Sequence, residues 1–271
     1  MSTGRGHWQA ATGNRQPATG DTSASVGRVE HVTIITGGSR GIGAATARRL
    51  AEDGHHIAIG FRADEASANR VAAQVTEAGV RCVAIRVDAA DENDVERLFA
   101  TAAAELGPIT ALVNNAGTTS PMGRLADLRP DDIRRVIDVN VTGALLCARL
   151  AARTLTRGGA IVNLSSAAAT LGSPGEYVHY AASKAAIDAL TVGLAKELAA
   201  DGIRVNGVAP GIVRTEIHAV SGMADRPDRL ADRIPMHRAG EPPEIAEVIA
   251  WLLSPAASYV TGTTIRAAGG M

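Results

Sequence analysis

From residue 31 onward the chain alternates between two kinds of pattern. Short, nearly continuous apolar runs rich in β-branched residues occur at Val32–Thr36, His56–Gly60, Cys82–Val87, Ile109–Val113, Ala160–Leu164, Ile203–Val208 and Thr263–Arg266. Between them lie Ala-, Leu- and Arg-rich stretches near 42–53, 64–78, 91–106, 130–156, 176–200 and 242–253 that carry a helical period. Strands apolar on both sides and separated by helices predict a parallel sheet covered on both faces. Right-handed crossovers then give a doubly wound α/β Rossmann fold with seven parallel strands. Helix ends are marked locally: Gly107-Pro108 follows one helix and Gly202 follows another. Ile187, Leu190, Leu194 and Leu198 recur at three and four residues and predict a core-facing stripe. We expect one domain over residues 31–271, with no internal repeat.

Residues 1–30 break this pattern. They are rich in Gly, Ser, Thr and Ala, and Trp8 is their one large apolar residue. Such a segment cannot offset its ordering entropy by burial, so a disordered tail is expected. It also lacks the apolar core of a secretory signal. In the whole chain 27 basic residues balance 28 acidic ones, for a net charge of −1. That balance recommends neither nucleic acid nor an anionic membrane as partner. The uncharged stretch 158–175 is interrupted by Asn, Ser, Thr, Pro and Gly and does not read as a bilayer span. Cys82 and Cys147 stand far apart in apolar surroundings. They read as free thiols in a reducing, cytoplasmic compartment and not as a metal site.

Candidate chemistry begins after the first strand. In Thr36-Gly37-Gly38-Ser39-Arg40-Gly41-Ile42-Gly43, glycines let the backbone turn sharply and approach a ligand. The free N–H groups of the following helix favour a pyrophosphate there. No Lys-Ser/Thr pair follows, so this is not a P-loop. The second strand ends at Gly60-Phe61-Arg62. An NAD-selecting fold usually places an acid there for the ribose 2′-hydroxyl. Phe61 followed by Arg62, with Arg40 in the glycine loop, instead suits the 2′-phosphate of NADP. NAD stays open, because Asp64 is near enough in sequence to neutralise Arg62. Asp88, just past the third strand, is placed to accept from an adenine amino group.

Tyr180-Ala-Ala-Ser-Lys184 puts a phenol and an ammonium one helical turn apart, about 6 Å along the axis. The charge is expected to pull the phenol pKa down from its usual value near 10. Lys184 is one of only two lysines among the 27 basic residues. Upstream, Ser165 and Ser166 close a buried strand at the carboxyl edge, where open sheets bind ligands. There a hydroxyl could hold a substrate oxygen. Asn114-Asn115-Ala116-Gly117 closes the fourth strand, and Asn140 sits in the helix that follows.

With TGGSRGIG (36–43), NNAG (114–117), VIDVNVTGA around Asn140, IVNLSS (161–166), YAASK (180–184) and Pro210-Gly211 with Thr215, the chain resembles the short-chain dehydrogenase/reductase family over residues 31–271. Sugar-dehydrogenase-like and 3-oxoacyl-reductase-like members are the most similar. The resemblance implies Tyr180 as general acid/base for hydride transfer, Ser166 on the substrate oxygen, and Lys184 on the nicotinamide ribose. It implies Asn140 as holder of a relay water. Gly37, Ser39, Arg40, Gly41, Ile42, Gly43, Phe61, Arg62, Asp88, Asn114, Ala116, Gly117, Pro210, Gly211, Ile212 and Thr215 would border the cofactor, together with Tyr180 and Lys184. The expected activity is NADP-dependent interconversion of a carbonyl and a secondary alcohol. An NAD-linked sugar dehydrogenase is the alternative within the class, and a non-catalytic dinucleotide sensor is the alternative outside it.

Two departures from the family stand out. Fourteen residues separate Ser166 from Tyr180, one more than usual, and the extra one falls in 172–179. Ala267-Ala268-Gly269-Gly270 lacks the usual acid before the paired glycines. The family also places a substrate lobe at about 211–240, where Pro227, Pro235 and several Arg and Asp occur. Glu176, His179, His218 and Met223 are candidates to reach a small hydroxylated substrate. Trp251 and Tyr259 fall in elements that build homotetramers in the family.

Overall fold

The computed structural model describes residues 30–271; the expected tail and Trp8 lie outside the described residues, apart from Glu30. Seven strands form the frame: β1 Val32–Thr36, β2 His56–Phe61, β3 Cys82–Arg86, β4 Ala111–Asn114, β5 Ala160–Leu164, β6 Arg204–Pro210 and β7 Thr264–Ala267. They make one parallel sheet in the order β3-β2-β1-β4-β5-β6-β7. The strand order reverses between β1 and β4, which opens a crevice at their carboxyl ends.

Two apolar clusters sandwich the sheet. One packs Leu98, Phe99, Cys147 and Leu198 against Ile34, Leu112 and Ile161. The other packs Leu50, Val75, Ile249 and Leu252 against Ile35, Ile57 and Val162. Helices α3 (Glu92–Leu106), α5 (Gly143–Thr154) and α7 (Val178–Leu198) supply the first face. Helices α1 (Gly41–Glu52), α2 (Glu65–Glu77) and α10 (Pro242–Leu253) supply the second. Local chemistry starts several of them. Asp64 and Asp91 accept from the backbone of Ser67 and Asp94 at the starts of α2 and α3, and α10 opens with a Glu241–Glu244 capping box.

The single helix expected over 130–156 is three pieces. Helix α4 (Pro130–Ile137) gives way to a π-helical turn at Asp138–Thr142, and α5 resumes at Gly143. Three β-branched residues, Val139, Val141 and Thr142, crowd that turn. On α7, Ile187 and Leu198 are buried as expected, but Leu190 and Leu194 are only partly covered. The buried line runs through Ile187, Thr191, Ala195 and Leu198, because small residues let the helix lie close over the sheet. The region 211–240 holds short helices α8 (Ile217–Val220) and α9 (Arg226–Arg229) and a 3₁₀ turn at Ala231–Arg233. A four-residue helix α6 (Ala168–Leu171) follows β5. Both cysteines are free, Cys147 is buried, and burial pushes each thiol up to about 12.

Candidate active site

A cavity of about 940 Å³ follows the crevice, from the glycine loop and the ends of β2 and β3 to the segment 212–234. At one end its wall contains Gly37, Ser39, Arg40, Gly41 and Ile42, then Phe61, Arg62 and Asp88. Its centre contains Ala116, Gly117, Ser166, Tyr180 and Lys184, with Pro210, Gly211, Ile212 and Thr215 opposite. Three expected residues are not on its surface. Gly43 packs inward, where a Cβ would stand 2.4 Å from the Gly37 carbonyl oxygen. Its side-chain hydrogen is therefore what permits the loop to close on α1. Asn114 is buried and donates to the Ala144 carbonyl (2.9 Å), which ties β4 to α5. Asn140 is 1% exposed and also sits behind the wall.

The asparagine that serves the loop is Asn115, not the Asn114 expected to border the cofactor. Its Nδ2 donates to the carbonyls of Thr36 (2.8 Å) and Gly37 (3.0 Å). The Thr36 hydroxyl accepts in return from the amides of Asn115 and Ala116. The doubled Asn signalled this site. The two-residue side-chain alternation along β4 decides that Asn114 faces the core and Asn115 the loop.

Charges at the end of β2 are arranged differently from expectation. Asp64 does not meet Arg62; both its carboxylate oxygens are engaged by Ser67 at the start of α2. Arg62 pairs instead with Asp88, Nε to Oδ2 at 3.2 Å. Arg40 has no ion-pair partner among the described residues. Arg40, Arg62 and Arg86 border this end of the cavity together with the carboxylates of Asp64 and Asp88.

At the centre, Lys184 is 4% exposed and its ammonium donates to the Leu164 carbonyl at 2.7 Å. Its Nζ is 5.8 Å from the centroid of the Tyr180 ring. Burial lowers the Lys184 pKa to about 8, opposed in part by Asp188. Burial also raises the Tyr180 phenol to about 12, with Ser166 drawing it back down and Tyr177 adding to the rise. The expected lowering of the phenol is thus overridden: desolvation of phenolate outweighs its neighbours. The two serines separate cleanly. Ser165 is buried and donates to the Lys184 carbonyl (3.2 Å), whereas the Ser166 hydroxyl, which accepts from the Ala168 amide (3.1 Å), is the one facing Tyr180. The loop between strand and helix absorbs the longer spacing with positive φ at Gly172, Ser173 and Gly175.

Asn140 projects from the π-helical turn, a feature frequent at functional sites. Its Oδ1 accepts from the Thr118 amide (2.8 Å), and its Nδ2 donates to the Thr118 carbonyl (2.9 Å) and the Ser183 hydroxyl (3.0 Å). A Cβ on Gly117 would lie 3.4 Å from Lys184 Nζ and 3.5 Å from Asn140 Oδ1. The chain at Gly117 therefore runs in van der Waals reach of both groups, and a methyl there would touch them without a clash.

Of the substrate candidates, Glu176 and His218 border the cavity, but His179 and Met223 do not. His179 is 4% exposed and its Nε2 meets the Ser120 hydroxyl at 2.8 Å. Burial holds its pKa below the usual histidine value. His218 Nε2 meets the Val213 carbonyl at 2.9 Å.

A family model described as enoyl-(acyl carrier protein) reductase matches residues 37–271. An uncharacterized oxidoreductase of Escherichia coli K12 is 48% identical over 88% of this chain and 99% of its own. The chain belongs to the short-chain dehydrogenase/reductase family. It is an oxidoreductase. Another member, the cis-4-hydroxycyclohexanecarboxylate dehydrogenase of Sinomonas cyclohexanicum, is 43% identical over 89% of this chain and 96% of its own. Among solved structures of the family, a short-chain dehydrogenase/reductase of Serratia marcescens is 37% identical with a TM-score of 0.83, covering 89% of this chain and 97% of that one. A short-chain dehydrogenase of Burkholderia cenocepacia, solved in complex with NADP, is 36% identical with a TM-score of 0.82 over the same shares. Among the described residues of this family member, no helix is long and apolar enough to cross a membrane, and no cluster of ligating side chains could hold a metal ion.

Proposed function

We propose that this oxidoreductase interconverts a carbonyl and a secondary alcohol with NADP(H), and that Tyr180 carries the proton. The observation behind this reading is the meeting of Tyr180, Ser166 and Lys184 at the centre of a cavity that continues to the glycine loop. The cradle suits a dinucleotide on its own geometry. A Cβ at Gly37 would come within 3.1 Å of the Ala116 backbone, and one at Gly41 within 3.1 Å of Thr215. These glycines leave room for a pyrophosphate against the start of α1. When bound, the nicotinamide supplies the hydride.

This chain's residues do the rest. Ser166 donates a hydrogen bond to the substrate oxygen and holds it against the phenol. With its pKa near 12 the Tyr180 hydroxyl is protonated at neutral pH, so it is poised to protonate an oxygen gaining charge. The Lys184 ammonium, one turn away, stabilises the phenolate left behind. The Leu164 carbonyl holds the Lys184 ammonium, and Asn140 ties the loop after β4 to Ser183, the residue before Lys184 on α7.

Arg40 and Arg62 support NADP over NAD, since each offers donors to a 2′-phosphate. The Burkholderia relative was solved with NADP, which supports the same assignment. The relatives' names cover a hydroxy compound and a 3-oxo compound, both consistent with this reaction class. Trp251 and the fully exposed Tyr259 support self-association as a homotetramer, which sedimentation velocity would resolve.

The test is NADPH oxidation, followed by absorbance, against a panel of sugars, 3-oxo thioesters and small ketones. Wild type should turn over at least one of them. Tyr180→Phe should retain NADPH binding and lose nearly all turnover. Retained turnover would remove the acid–base assignment, and a wild type that binds NADPH without ever consuming it would favour a sensor.

A further inference from the structure

Three segments separated in sequence roof the cavity beyond Tyr180, and they meet at one side chain. Arg226, on α9, is 8% exposed. Its guanidinium pairs with both carboxylate oxygens of Glu176, with Nη1 to Oε1 at 3.1 Å. The same group lies 5.2 Å from the centroid of the Tyr177 ring, and its Nη1 reaches Met122 Sδ at 3.6 Å. The Glu176 carbonyl accepts from the Gly123 amide (2.9 Å). The loop after β4, the loop before α7 and the lobe are thus fastened together at Arg226.

Two physical facts give the arrangement consequences. A forked ion pair is specific in geometry, and because the Arg226 side chain is buried while Glu176 is partly exposed, removing Glu176 strands a buried guanidinium. The helices it secures, α8 and α9, have four residues each, too few to be stable alone. The lobe's position over the cavity therefore depends on tertiary fastening more than on its own helices. Tyr177 transmits that position inward: its ring packs edge-on against Tyr180 with centroids 5.7 Å apart. Glu176, Tyr177 and Arg226 all border the cavity, so the fastening is also its wall.

We propose that the Arg226–Glu176 pair is a latch that determines specificity. It closes the substrate lobe and fixes Tyr177 as the wall that a substrate body must fit. Neither residue handles the transferred proton; both act by positioning Tyr177 and the lobe. This inference rests on the reading of the cavity as a carbonyl-reductase site, but its first test needs no turnover.

Amide hydrogen exchange is measured on the NADPH-bound protein for Arg226→Gln, Glu176→Gln and the double reversal Glu176→Arg/Arg226→Glu. Exchange over residues 213–234 should quicken on the order of 10-fold or more in each single variant, while β1, β4 and β5 stay protected. The double reversal should restore most of the protection. If a single variant also exposes the core strands, Arg226→Lys, which keeps the charge without the fork, replaces it and should quicken the lobe alone. The second readout is steady-state kinetics with the best carbonyl from the panel above: KM should rise about 10-fold in the single variants, with NADPH affinity within twofold, and fall again in the reversal. Unchanged lobe exchange, or a reversal that restores neither exchange nor KM, overturns the latch. Failure of Tyr180→Phe to lose turnover would instead overturn the catalytic reading and leave the exchange result standing.

Discussion

Lys184 carries a charge that the fold disfavours, and that conflict can be measured. Its pKa falls from 10.5 to about 8 through burial, which corresponds to a cost on the order of 3 kcal/mol at neutral pH. Between those two values the unfolded chain binds more protons than the folded one. This group's contribution to stability therefore improves as pH rises across that window, and the penalty is full below pH 8. Lys184→Met should raise stability by about 1–3 kcal/mol in chemical denaturation, since an apolar side chain relieves a buried charge. The same variant should lose turnover. In the wild type, carbonyl reduction should hold steady through neutral pH and decline above about pH 8 as the ammonium is lost, which a pH–rate profile under saturating NADPH would check. At the other end of the cavity, Arg62 must share its guanidinium with Asp88, whereas Arg40 is free to turn to a phosphate. Arg40→Ala and Arg62→Ala should each weaken NADPH binding on the order of 10-fold or more, because a charge-assisted bond contributes about 1.5–3 kcal/mol. NADH affinity should change far less; equal losses would remove the 2′-phosphate argument.

Single elements show how much of the site the chain advertised. The strands were legible because a buried parallel sheet writes uninterrupted β-branched runs, and all seven begin and end within two residues of expectation. The Tyr180–Lys184 pair was legible because helical spacing alone sets its geometry. The π-helical turn at 138–142 was not, because one extra residue in a helical register leaves no mark in a period of 3.6. Nor was the inward turn of Asn114, since the doubled Asn marks the site without saying where β4 ends. Leu190 and Leu194 misled for a related reason: spacing identifies a stripe, but the width of the gap above the sheet selects Thr191 and Ala195. The glycine loop offers the sharpest check at this scale. Gly43→Ala would push a methyl to 2.4 Å from the Gly37 carbonyl, so it should cost about 1–3 kcal/mol in stability and weaken NADPH binding. Gly54→Ala would be strained only by its positive φ, since nothing lies within 4 Å; it should spare cofactor binding.

Across the whole molecule, the sheet edge and the lobe contribute in different ways. Tyr180, Lys184 and Ser166 are fixed by long elements anchored in the two apolar clusters, whereas residues 213–234 are held mainly by side-chain fastenings. Dinucleotide binding joins the two halves of the sheet across the β1/β4 crevice, so NADPH at 100 times its Kd should add about 2.7 kcal/mol to stability. That should raise Tm by several degrees in a thermal scan. Both native sulfhydryls sit on the packed faces of the sheet, where burial suppresses thiolate. A chromogenic disulfide reagent should spare buried Cys147 until denaturation and reach the half-buried Cys82 of the edge strand only slowly. Replacing Cys82 by Ala would leave a silent background for site-directed labelling. A single Val220→Cys, placed on the 40% exposed rim of the lobe, would take up a fluorophore alone and report, in real time, each opening and closing over a bound guest.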